Sequence, residues 1–90
     1  MSVKLITYDL NAKGQKHAEI LAKIKSFGVW ARLSESSYAI QTQLNPEQLY
    51  NQFKHLIDKN DNILIITLKK PYQGWADKEV IEWLESELSW

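Results

Sequence analysis

Ninety residues leave room for one domain around one core. Apolar residues make up 44% of the chain and charged residues 24%, and the formal net charge is zero. With no cysteine, disulfides, thiolate zinc sites and a cysteine nucleophile are excluded together, and a reducing, cytoplasmic setting is expected.

Affinity for nucleic acid comes largely from phosphate neutralisation, so a neutral chain is not expected to be a strong general nucleic-acid binder. The charge is unevenly spread, however. Residues 1–33 carry six Lys/Arg against two acids, and residues 34–90 carry five Lys against nine acids. This permits a basic patch near the first helix and an acidic one near the C-terminus, although solvated helix faces account for the same charges. No apolar run approaches the roughly 18 residues of a membrane span, and the N-terminus lacks the pattern of a signal peptide, so no membrane partner is expected. A chain this short buries only about 60–65% of its unfolded surface, which makes a dimer interface useful to it.

The first predicted strand runs from Val3 to Leu10. Val3, Leu5, Thr7 and Asp9 share one face, and Lys4, Ile6, Tyr8 and Leu10 the other. A loop over Asn11-Ala12-Lys13-Gly14 leads to a helix from Gln15 to Phe27, with Ala18, Ile20, Leu21, Ile24 and Phe27 at helical spacing. Gly28 stands where a left-handed C-terminal cap belongs. Residues 29–33 and 37–43 form a strand pair around the turn Ser34-Glu35-Ser36 and read as a hairpin.

The second helix has the clearest start. Asn45 caps it, Pro46 suits its first position, and Gln48 can return a bond in a capping box. Leu49, Phe53, Leu56 and Ile57 form its apolar stripe, and Asn60-Asp61 ends it. The run from Ile63 to Leu68 is almost wholly apolar, so both faces of that strand are expected to be covered. After a loop holding Pro71 and Gly74, Asp77 is placed to cap a last helix, about Lys78 to Leu88. Its stripe is Val80, Trp83, Leu84 and Leu88.

The order strand, helix, strand, strand, helix, strand and added helix predicts an α+β domain. Its expected form is ferredoxin-like βαββαβ, a four-stranded antiparallel sheet with the first and third strands central. The most apolar strand then falls at an edge. Such edges are rarely left open, so either the C-terminal helix folds over it or a second subunit pairs there.

Leu5-Ile6-Thr7-Tyr8-Asp9-Leu10 resembles the first strand of the small CRISPR-adaptation proteins of the Cas-two family, where a Tyr-Asp pair closes that strand. The resemblance extends to their uncharacterised SinR-like relatives. It is carried there by Ser36-Ser37-Tyr38 after the aromatic Trp30, and by Gly74-Trp75 before Trp83-Leu84. It implies a homodimer with two Asp9 carboxylates facing each other across a two-fold axis. These would hold one Mg²⁺ for cleavage of RNA or DNA in some members, whereas in others the protein is a non-catalytic DNA clamp. The CRISPR members usually end in a further strand that pairs with the partner subunit, whereas this chain ends in an acidic helix.

The candidate site residues follow. Asp9 is the candidate metal ligand and catalytic carboxylate. One carboxylate is a poor Mg²⁺ site, although two-fold symmetry supplies a second. The competing reading is a turn residue that satisfies loop N–H groups. Tyr8, Lys13, Lys16 and Arg32 are the candidate nucleic-acid contacts. Against that, Tyr8 can be a packing aromatic with a wet tip, and the cations can be solvated or lie along the surface. Trp30, Trp75 and Trp83 can stack bases or close an interface. His17 and His55 lie in different helices, so no zinc site is expected. No glycine-rich phosphate loop is present.

Overall fold

A computed structural model describes residues 2–11 and 14–90. The elements are β1 (Ser2–Asp9), α1 (Gln15–Lys25), β2 (Trp30–Ser34), β3 (Ser37–Thr42), α2 (Pro46–Phe53), β4 (Asn62–Leu68) and α3 (Lys78–Glu87). The class is α+β, with one antiparallel sheet in the order β2-β3-β1-β4, so β1 and β3 are central and β2 and β4 are edges.

The pleat of β1 divides the molecule into two packing layers. Ile6 lies opposite Tyr38 on β3 and Ile65 on β4, so all three point to the same side. On that side Ile6, Tyr8, Tyr38 and Ile40 pack with Ile20 and Ile24 of α1 and with Leu49 and Phe53 of α2. Both helices therefore rest on one face. The odd residues of β1 point to the other face, where Val3 and Ala39 meet Leu84 and Leu88 of α3. Lys4 is buried at the end of the helical-pair layer. Its ammonium donates to Ser2 Oγ and to the Thr42 carbonyl at 3.4 Å, so a charge expected on an apolar face is satisfied by neutral oxygens.

Helix boundaries follow local chemistry. Gln48 N–H donates to Asn45 Oδ1 at 2.8 Å, and Asn45 N–H donates to Gln48 Oε1 at 2.9 Å, completing the expected capping box. The α-helical part of this segment stops at Phe53, earlier than its apolar stripe implies, and tightens into a 3₁₀ turn over Lys54–Leu56. Leu56 and Ile57 still pack against the core from there. Gly28, with φ of 91°, takes the left-handed position beyond α1. Asp77 is the N-cap residue of α3, as expected, and its carbonyl accepts from the Ile81 N–H at 3.0 Å, but its side chain makes no capping bond.

Two expectations for β4 are revised. Its faces are not both covered, since Leu64 is 59% and Ile66 42% exposed and no residue of the strand is fully buried. Nor does α3 fold over its edge. The stripe of α3 packs on the open sheet face near Leu33, Val3 and Leu68, leaving Leu64 and Ile66 in water. A continuous apolar run signals burial of both faces only when a second layer reaches the strand, and α3 is too far towards β2 to do so.

Phe53 is fully buried between both main helices and the sheet. Phe53→Ala is expected to cost roughly 3–5 kcal/mol, a large share of the about 5–15 kcal/mol that holds a small domain folded. Asn45→Ala is expected to cost about 1 kcal/mol. Urea titration of both variants against the parent checks the ratio.

Candidate functional site at the Asp9 rim

Asp9 closes β1 and lies opposite Asn62, the first residue of β4. It is exposed. Around it is a shallow concavity of about 380 Å³ lined by Thr7, Tyr8, Asp9, Asn62, Ile63 and Leu64. The Thr7 hydroxyl shares a 2.8 Å hydrogen bond with that of Ser37 on the same face. Among the described residues no group of three or more His, Cys, Asp or Glu side chains converges to hold a metal ion. Within one protomer, Asp9 offers a single carboxylate with an amide opposite it. A Mg²⁺ ion bound there would need ligands from a second copy or from a phosphate.

Among the described candidates, Tyr8, Lys16 and Arg32 are not gathered around Asp9. Tyr8 points to the opposite side of β1, into the layer of α1 and α2, and is 5% exposed. Its hydroxyl meets His17 Nδ1 at 3.2 Å, and the two rings tilt together at 5.8 Å. Burial is the main cause that pushes the phenol up to about 12. Tyr8 is thus a packing aromatic with a bonded tip, and the Tyr8-Asp9 pair faces two ways. Arg32 sits on the far edge strand β2, opposite Tyr38, where its Nε–H donates to the Ser34 carbonyl at 3.3 Å. β3 separates its strand from β1. Lys13 lies outside the described residues.

Lys16 is held within the fold. Its ammonium donates to Asp58 Oδ2 at 2.6 Å and to Asp61 Oδ2 at 2.8 Å. The Asp61 side chain is fully buried. Besides Lys16 it accepts from the Asn11 N–H at 2.8 Å and the Asp58 N–H at 3.0 Å. One carboxylate therefore ties the exit of β1, the first turn of α1 and the entry to β4. The Lys16 ammonium, followed by the two backbone N–H groups, holds Asp61 down at about 2. The same contacts raise Lys16 and lower Asp58.

Asp61 is the residue that sequence reasoning missed. The loop N–H that Asp9 was placed to satisfy is satisfied by Asp61 from fifty residues away. The sequence signal was present in Asp58-Lys59-Asn60-Asp61, read there as no more than a helix end.

The tryptophans are also sorted. Trp30 packs against Tyr38 at 6.2 Å under the Lys25 ammonium, 5.2 Å from its ring. Trp83 packs in the α3 layer. Trp75 is 98% exposed. It stands at the mouth of an apolar pocket of about 310 Å³ between α3, the sheet and the 69–76 segment. Trp90 is 79% exposed but lies 5.9 Å from the Lys70 ammonium, and the Lys70 N–H donates to the Ser89 carbonyl at 2.6 Å.

No family model matches the chain, and no curated protein is significantly similar to it. No helix among the described residues is long and apolar enough to cross a membrane.

The pH dependence of stability follows from the shifted groups. Asp61 has a folded-state pKa below its ordinary value of 3.8, so its contribution is full above about pH 4 and is lost as pH falls towards 2. Tyr8 is raised above its ordinary value of 10, so its contribution is full below pH 10 and is lost as pH rises towards 12. Urea midpoints measured from pH 7 down to 2 are expected to fall steeply below pH 4 in the parent. In Asp61→Asn they are expected to start lower and to fall less.

Proposed function

We propose that this chain is a small homodimeric binding module of the ferredoxin-like fold. In this reading it is related to the Cas-two family through its SinR-like relatives and works as a nucleic-acid-related binding or interaction module in the cytoplasm. The fold assignment is supported by the central placement of β1 and β3 and by two crossover helices on one sheet face. The family relation rests on the short motifs around Tyr8-Asp9, Ser36-Ser37-Tyr38 and Gly74-Trp75.

The observation that carries the homodimer is β4. The most apolar segment of the chain lies at a sheet edge with Leu64 and Ile66 in water. A small domain gains most from covering such a strand. The binding-module reading is favoured by the division of the candidate residues. Among the described candidate residues Asp9 is alone on its face, Tyr8 is buried behind it, and the Lys16 charge is matched by two carboxylates.

A second reading has one observation of its own. Asp9 is exposed in an open concavity beside Asn62. In this reading a two-fold partner brings a second Asp9 near, and the pair holds Mg²⁺ to activate water for phosphodiester cleavage.

Light scattering at micromolar concentration is expected to give the dimer mass; a monomer sinks the homodimer. RNA and DNA incubated with Mg²⁺ are expected to stay intact with both the parent and Asp9→Ala. Cleavage by the parent that disappears in Asp9→Ala would establish the second reading. Nucleic-acid binding is expected to be modest and to weaken with added salt. Absent or salt-insensitive binding removes the nucleic-acid role.

A further inference from the structure

We propose that the free edge of β4 is the docking site for β4 of a second copy of this chain, paired antiparallel about a two-fold axis near Ile65. The two sheets would then join into one of eight strands. The inference rests on the homodimer reading above and names its surface.

The two edges of the sheet are built differently. β2 is a short strand of five residues with a register shift between Arg32 and Ser34, an exposed Arg32 on it, and α3 packed beside it. Bulges, charges and brevity are the usual devices that stop an edge from pairing with another chain. β4 has none of them. Its seven residues, Asn62-Ile63-Leu64-Ile65-Ile66-Thr67-Leu68, include no charge and no proline. Its ladder with β1 runs unbroken from Leu68 to Asn62, so the strand is regular along its whole length. Every second residue therefore turns its N–H and C=O away from β1.

The occupant follows from self-complementarity. Antiparallel pairing centred on Ile65 places Leu64 opposite Ile66 of the partner subunit on the bare face. The two exposed apolar pairs merge into one patch across the axis. The same register lays the uncharged Asn62–Leu68 stretch of each copy along that of the other. No like charges meet along the strand. A strand from an unrelated protein would have to match both features, whereas a second copy matches them by symmetry.

This arrangement separates the two Asp9 residues. Three strand spacings and a six-residue offset place them about 24 Å apart at ordinary sheet dimensions. Edge pairing therefore leaves each Asp9 as a single carboxylate and is incompatible with one shared Mg²⁺.

Residue-resolved amide exchange at high and low protein concentration, run beside light scattering, tests the proposal. In the dimer, the outward amides of β4 are expected to exchange at least about tenfold more slowly than in the dilute monomer, in an every-second-residue pattern. Ile66→Lys is expected to raise the dimer dissociation constant at least about tenfold with an unchanged circular dichroism spectrum. A dimer whose outward β4 amides exchange equally fast at both concentrations overturns the edge and leaves the homodimer standing. A monomer at every concentration overturns both, and leaves the edge to a strand of another protein.

Discussion

The alternation of side chains along β1 is the constraint from which the rest of the molecule follows. A strand buried on both sides must satisfy two layers at once, and its period of two assigns each residue to one of them. Ile6 and Tyr8 belong to the layer of α1 and α2, whereas Val3 belongs to that of α3. A shift of one residue would put Asp9 into the main core and Ile6 under α3. The register is fixed on both sides of β1, by Tyr38 on β3 and by Ile65 on β4. The same alternation separates Tyr8 from Asp9. Neighbours in sequence, they cannot serve one ligand on one face.

The carboxylate of Asp61 does for the loops what the pleat does for the strands. A buried carboxylate is costly unless its oxygens are well bonded, and here one ammonium and two backbone N–H groups supply the donors. Because Asp61 directly precedes Asn62, the residue facing Asp9, this contact also fixes the floor of the rim. The position of Asp9 is thus held by a residue 52 positions further along the chain.

The regular elements were legible in the sequence because their signals are local. Asn45, Pro46 and Gln48 specify a helix start within four residues, and Gly28 marks a left-handed turn by itself. The alternation in Val3–Leu10 gave the two faces of β1 correctly. What was not legible depends on contacts between distant segments. The apolar run Ile63–Leu68 reads as doubly covered, yet coverage of its outer face depends on where α3 lies, and no residue of β4 records that. Lys16 looks like a free cation until the chain returns Asp58 and Asp61 to it. At the rim, β1 ends at Asp9, one residue before the predicted end at Leu10. Which carboxylate serves the following loop was not legible, because the answer comes from fifty residues away.

The central place of β1 also orders events during synthesis. Residues 2–9 emerge before either of their partner strands, 37–42 and 62–68. At translation rates of about 5–20 residues per second, β1 waits on the order of ten seconds for its second neighbour. Until then the nascent chain can offer the β2–β3 hairpin and the first βαβ half, with the inner edge of β1 occupied and its outer edge bare. The segment that closes this gap is also the least protected strand of the finished sheet. In a polysome, where neighbouring nascent chains are close together, a β4 emerging from one ribosome meets open β1 edges on its own chain and on others. Its own β1 has the advantage of tethering, which raises its effective concentration above that of any neighbour.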